Sequence, residues 1–184
     1  DGISNREVVA IGFYGDRVRF GHGSFGGWRP FGPRRKVTRA EGNILYELDG
    51  TPALEVYKRY LGDYAKDLPA SGLLFPFSML ANDASDVGLI RTILGINDAE
   101  GSLVLAGDII KDGYLQLMQA STDALVDGAH SAAEAAREIL ALDEPALAIL
   151  VSCVGRKLVM GARVDEEVDA VREVFKEGSV ITGF

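Results

Sequence analysis

Apolar residues recur along this chain in short runs broken by glycine, proline and acidic turns, with helical spacing concentrated in a few stretches. Residues 7–14 and 17–24 are apolar-rich runs about Gly15 and Asp16, and they predict a hairpin. Residues 25–36 carry Gly27, Pro30, Gly32 and Pro33 and predict a loop, because proline lacks the donor that ladders and helix interiors require. Residues 37–49 predict one strand, with Ile44, Tyr46 and Leu48 alternating against Leu45, Glu47 and Asp49. In DGTPALEVYKRYLGD, Thr51 can cap, Pro52 suits the first helical position, and Leu54, Val56, Tyr57, Tyr60 and Leu61 form an apolar face closed by Gly62. A second short helix is expected over 63–68, ending at Pro69.

Four strands follow in the pattern, at 73–80, 87–96, 102–106 and 114–119. An alanine-rich helix is predicted over 121–142, with Leu125, Ala129, Ala132, Ala133, Ala136, Ile139 and Leu140 along one side. The continuous apolar run 146–153 predicts a strand buried on both faces. Helix then fills much of 157–175, and a last strand starts at Val180. Strands first, then helix, strand, helix and strand, give an α+β fold, a mostly antiparallel sheet packed with helices.

Composition narrows the function classes. The 184 residues, 47% hydrophobic and 25% charged, suffice for a core that buries roughly 70% of the unfolded surface. A net charge of −8 opposes non-specific nucleic-acid binding, which needs a basic face. The strongest apolar run, 146–154, is far shorter than the roughly 20 residues that span a bilayer, so no membrane insertion is expected. With a single cysteine no internal disulfide forms, in keeping with a cytoplasmic location. The start DGISNREVVA lacks a basic region, an apolar region and a Met, and SVITGF ends abruptly; both ends read as cuts in a longer chain.

The segment GHGSFG, Gly21 to Gly26, has the G-x-G-x-x-G spacing of dinucleotide sites. That chemistry needs a helix to open directly after the glycines, and Pro30, Gly32 and Pro33 forbid one. No phosphate-binding loop with its lysine occurs either, and two histidines with one cysteine do not make a Cys/His zinc site. His130 reads as a surface or boundary residue, and His22 as a structural histidine or a ligand contact. Cys153 is either a small buried hydrophobe or a thiol acidified by Arg156. Glu47 and Asp49 share a strand face, as paired acids do, but Asp49 also suits a turn and helix start. Five of the nineteen basic residues lie between Arg29 and Arg39, beside Trp28 and Phe31, a pattern for an anion grip or a solvated linker.

Taken in order, GHGSFGGWRPFGP, VTRAEGNILYELDGTPALEVYKRYLGD, LPASGLLFPF, AGDI and LAILVSCVGRKLVMG resemble the FIST domain, the F-box and intracellular signal transduction module. The resemblance divides the chain into 1–36, the closing hairpin and linker of an N-terminal half, and 37–184, a C-terminal half lacking its last, tyrosine-rich segment. It implies sensing rather than catalysis: a bacterial, cytoplasmic domain that binds amino acids or other small metabolites and signals to a kinase or chemotaxis module. The expected ligand contacts are Trp28 and Phe31 as apolar walls, Arg29 and Arg156 for an anionic group, and His22, Glu47 and Cys153 as polar contacts. No cofactor or metal is expected. The alternatives are a haem-binding nitric-oxide sensor, with His22 as the candidate ligand, and a protein-interaction scaffold.

Overall fold

A computed structural model describes residues 10–83, 88–141 and 144–184. The first strand, β1 (Arg29–Glu41), turns through Gly42 and Asn43 into β2 (Ile44–Leu48), which pairs with the two-residue β3 (Thr51–Pro52). Helix α1 (Ala53–Leu61) follows. The sheet then gains β4 (Phe77–Leu80), β5 (Leu89–Arg91), β6 (Ile93–Asn97), β7 (Ser102–Leu105) and β8 (Tyr114–Gln119), in the antiparallel order β5-β4-β8-β1-β2-β7-β6. Only Thr92 separates β5 from β6, yet these strands lie at opposite ends of that order. The sheet must therefore curl until its two edges come together at Thr92.

Inside the curl, Leu45, Leu48, Ile93, Leu103, Leu105 and Leu115 are fully or almost fully buried, and α1 closes over them with Leu54, Val56, Tyr57 and Leu61. The Tyr57 and Phe77 rings meet at 5.4 Å, and the Tyr57 hydroxyl donates to the Phe75 carbonyl at 2.8 Å. A second, smaller core lies beyond the sheet. Helix α2 (Thr122–Leu140) packs on α4 (Val164–Val174), and Ala129, Ala133, Val171 and Val174 meet Leu150 and Ile181 of a separate parallel pair, β9 (Leu147–Leu150) with β10 (Val180–Gly183). The short α3 (Val154–Met160) begins the crossover between those strands.

Several expectations change, each for an identifiable reason. The predicted loop 25–36 contains the start of β1, which pairs with β8 at Arg29–Phe31 and again at Arg35–Lys36. Between these points the register slips at Gly32–Arg34, so Pro33 falls in an irregularity where the ladder needs no donor from it. The single strand over 37–49 is a hairpin, because Gly42 takes φ 55° at the first central position of a two-residue turn. Pro52 is the residue before α1 rather than its first, and no side chain caps that helix. The predicted strand 73–80 narrows to β4 after a 3₁₀ turn at Ala70–Leu73, and 87–96 divides at Thr92. Residues 63–67 form 3₁₀ rather than α-helix.

The hairpin over 7–24 is also corrected where it is described. Val18 N–H donates to Gly15 O in the expected turn, but residues 10–28 contain no strand; residues 7–9 lie outside the described residues. Finally, β9 is buried on one face only, since Ala148 is 7% exposed while Leu147 and Ile149 are 49% and 51% exposed.

Burial raises the Tyr57 phenol above its ordinary pKa, disfavouring the phenolate in the folded state. Because the unfolded chain ionises first, the Tyr57 contribution to stability is complete below about pH 10 and is lost as pH rises beyond it. Tyr57→Phe is expected to lose about 1 kcal/mol at pH 8, for the hydrogen bond to Phe75, and to lose less than the parent between pH 8 and pH 11. Urea denaturation at the two pH values measures both effects.

Candidate functional site

A buried ion pair ties together the elements around the smaller core. Arg156, in the first turns of α3, is 7% exposed and Glu167, on α4, is 9% exposed. Arg156 Nε donates to Glu167 Oε1 at 2.7 Å, while Nη1 donates to Gly26 O at 2.8 Å and Nη2 to Leu125 O at 2.7 Å. Ser152, just past β9, donates to the other Glu167 oxygen at 3.0 Å. One guanidinium and one carboxylate thus join α2, α3, α4, the end of β9 and the segment entering β1.

That segment lies flat on α2, and its glycines explain how. A Cβ on Gly21 would stand 2.0 Å from Ala136 O, one on Gly23 would stand 1.9 Å from Ala132 O, and one on Gly27 would stand 2.3 Å from Ala124 O. Each step of two residues along the segment moves one helical turn, four residues, back along α2. Two extended residues advance roughly 6.6 Å and four helical ones roughly 6 Å, so an extended chain stays in register with the helix. Small residues at Ala124, Gly128, Ala132 and Ala136 complete the contact from the other side. The spacing that resembles a nucleotide fingerprint is a close-approach surface between backbone and helix.

Between this segment and β9 opens a cleft of about 910 Å³. Residues 16–25 form one wall, residues 144–151 the other, and Ala129, Ala132, Ala133 and Ala136 of α2 the floor. Arg156 and Glu167 lie at its lining with Asp16, Glu144, Arg17 and Arg19, so acids and bases balance. Among the described residues, no buried side-chain polar atom lacks a hydrogen-bond partner.

Of the residues singled out in the sequence, His22 and Arg156 line this cleft. Trp28, Arg29, Phe31, Glu47 and Cys153 do not appear in its walls. Phe31 packs edge-on to Tyr60 with centroids 6.4 Å apart, and Arg29 starts β1 opposite Gln119. Glu47 pairs with Arg39 at 3.0 Å, and the neighbouring Asp49 with Arg35 at 3.1 Å. Arg34 and Lys36 reach Asp83 and Asp112, so most of the basic cluster is neutralised by surface carboxylates. Cys153 is exposed rather than a buried hydrophobe, and its sulfur accepts from the Arg156 N–H at the start of α3.

Sequence reasoning passed over Glu167 and Ser152, since nothing local marks a partner for Arg156. The small residues spaced by four along α2 were a readable signal. Among the described residues, no group of three or more His, Cys, Asp or Glu side chains is placed to hold a metal ion, and no helix is long and apolar enough to cross a membrane.

Comparison with known families finds the FIST N domain over residues 1–51 and the FIST C domain over residues 53–184. The chain belongs to the FIST family. FIST domains are associated with signal transduction and small-ligand sensing. An uncharacterized protein of Methanocaldococcus jannaschii is 25% identical across 92% of this chain, which spans 34% of that protein's length. No solved structure matches the chain. Within this FIST chain the two family models adjoin at the junction of β3 and α1.

Two substitutions test this architecture by chemical denaturation. Arg156→Ala leaves Glu167 buried without its partner and is expected to cost about 3–5 kcal/mol, with the Arg156→Met, Glu167→Leu double variant recovering most of it. Gly23→Ala cannot keep the segment on α2 without displacement, and an overpacking loss of about 1–3 kcal/mol is expected.

Proposed function

We propose that this chain is the ligand-binding part of a bacterial, cytoplasmic signalling protein, and that the cleft on α2 is where its ligand binds. One observation carries this reading. The wall formed by residues 16–25 continues into Gly26, whose carbonyl is held by the Arg156–Glu167 pair, so a change in that wall reaches three helices at once. A ligand that fits one position of the wall better than another shifts the balance between them, and that differential affinity is the signal.

The chemistry of the lining supports a neutral or zwitterionic small molecule, an amino acid among them. Three acids and three bases line the cleft, and the apolar faces of Phe20, Phe25, Leu147 and Ile149 surround them. The domain carries out no reaction of its own in this proposal, and its partner is a kinase or chemotaxis module. His22 would be the residue to hold a haem here, and a Soret band lost in His22→Ala would favour that ligand instead.

A thermal-shift screen of amino acids, nucleotides and common metabolites tests the reading. A ligand present at 100 times its Kd is expected to add about 2.7 kcal/mol of stability. Ile149→Lys, which puts a charge at a half-exposed position of the cleft, is expected to fold and to lose the response. No response to any compound would count against small-molecule sensing at this site.

A further inference from the structure

We infer that the cleft admits an extended peptide, which enters as a β-strand between β9 and the segment 19–25. This rests on the cleft being the ligand site and names the chemical class of what it takes. The first observation is a free strand edge. Ala146 O accepts from Val180 N–H of β10, while Phe184, just beyond β10, donates to Leu150 O and accepts from Ser152 N–H. A residue of a parallel ladder turns both its backbone groups to the same side, so Leu147, Ile149 and Val151 turn theirs away from β10. Among the described residues, β9 has no second strand partner.

The opposite wall is unpaired as well. Residues 19–25 make no backbone hydrogen bond to any described residue, although the Gly21 and Gly23 contacts hold them extended on α2. Two lines of backbone donors and acceptors therefore border one slot, above a floor of alanines that leaves room for a main chain. The side chains of Arg156, Glu167 and Ser152, by contrast, are committed, since they bond one another or backbone carbonyls. The two main-chain edges supply the pairing from which strand addition gains its affinity.

Side chains set what kind of peptide fits. Leu147, Ile149 and Val151 are 49%, 51% and 72% exposed on one face of β9, and Phe20 and Phe25 stand on the other wall. A parallel pair with one apolar face bare is unusual, since parallel sheets are ordinarily covered on both faces. The strand that completes it is apolar at alternate positions, and the equal number of acids and bases in the lining asks for no net charge along its middle. Its ends are free to carry basic residues, which a chain of net charge −8 attracts.

The test uses the peptide acetyl-Lys-Val-Thr-Val-Thr-Val-Lys-amide and a twin N-methylated at each of its five central residues, which keeps the side chains but cannot pair along either edge. Amide hydrogen exchange of the whole chain is followed by NMR. At ten times its Kd, the first peptide is expected to slow exchange at Leu147, Ile149 and Val151 about tenfold, while the twin leaves these amides unchanged. Equal protection by both peptides, or none by the first, overturns the inference. If free amino acids stabilise the protein while the peptide leaves those amides unprotected, strand addition is wrong and small-molecule sensing stands. If neither acts, both readings fall.

Discussion

The bond between Arg156 and Glu167 governs how the helices of the smaller core are held to one another and to the segment that enters β1. Burying two charges is expensive, and an ion pair rarely recovers more than it loses in desolvation. Its effect here is on specificity. Besides α2 and α4 it touches three parts that are weak alone: a seven-residue helix, a two-stranded parallel sheet and a segment without secondary structure. A two-stranded unit is marginal in water without further packing. Three guanidinium nitrogens point in three directions, to α4, α2 and Gly26, so an arrangement that satisfies all three leaves little freedom to any of them.

The clamp closes a path that begins in the curled sheet. Arg29 pairs with Gln119, the last residue of β8. Upstream of Arg29 runs the glycine segment, and downstream of Gln119, after Ser121 caps it, runs α2. The antiparallel pairing of β1 with β8 is thus continued outside the sheet as an antiparallel pairing of segment and helix. Gly27 meets Ala124 at the near end and Gly21 meets Ala136 at the far end because both chains leave the same ladder side by side. Arg156 then reaches across this junction to a carbonyl on each chain, Gly26 and Leu125.

This arrangement shows what a sequence pattern can and cannot carry. Local signals served well where the local environment decided the outcome: β8 over 114–119, α2 within 121–142, and the Gly62 stop of α1 follow from periodicity and chain breakers. Signals failed where a distant partner decided it. Pro30 and Pro33 argue against a strand until β8 supplies a ladder with a slip in it, and 87–96 looks continuous because nothing local reveals that Thr92 joins opposite edges of one sheet. Arg156 could be singled out as a functional residue, but its carboxylate lies eleven positions away on another helix, with no motif linking the two. The basic cluster read equally as an anion grip or a solvated linker, because the chain does not announce that Asp49, Asp83, Asp112 and Glu47 will pair with four of its five members.

The glycines make the same point in terms of the site. Backbone amides gather round a phosphate when glycines permit a close turn, and backbone settles on a helix when glycines permit a close side-by-side run; the absence of Cβ serves either purpose. Only what faces the glycines distinguishes the two, and here it is the carbonyls of Ala124, Ala132 and Ala136. Had Gly21 and Gly23 carried side chains, the segment could not lie this close to α2 and would have to stand off from the helix. By seating the segment on the helix instead, the glycines hold one wall of the cleft in place across α2 from β9, and so the feature that first resembled a nucleotide site creates a different one.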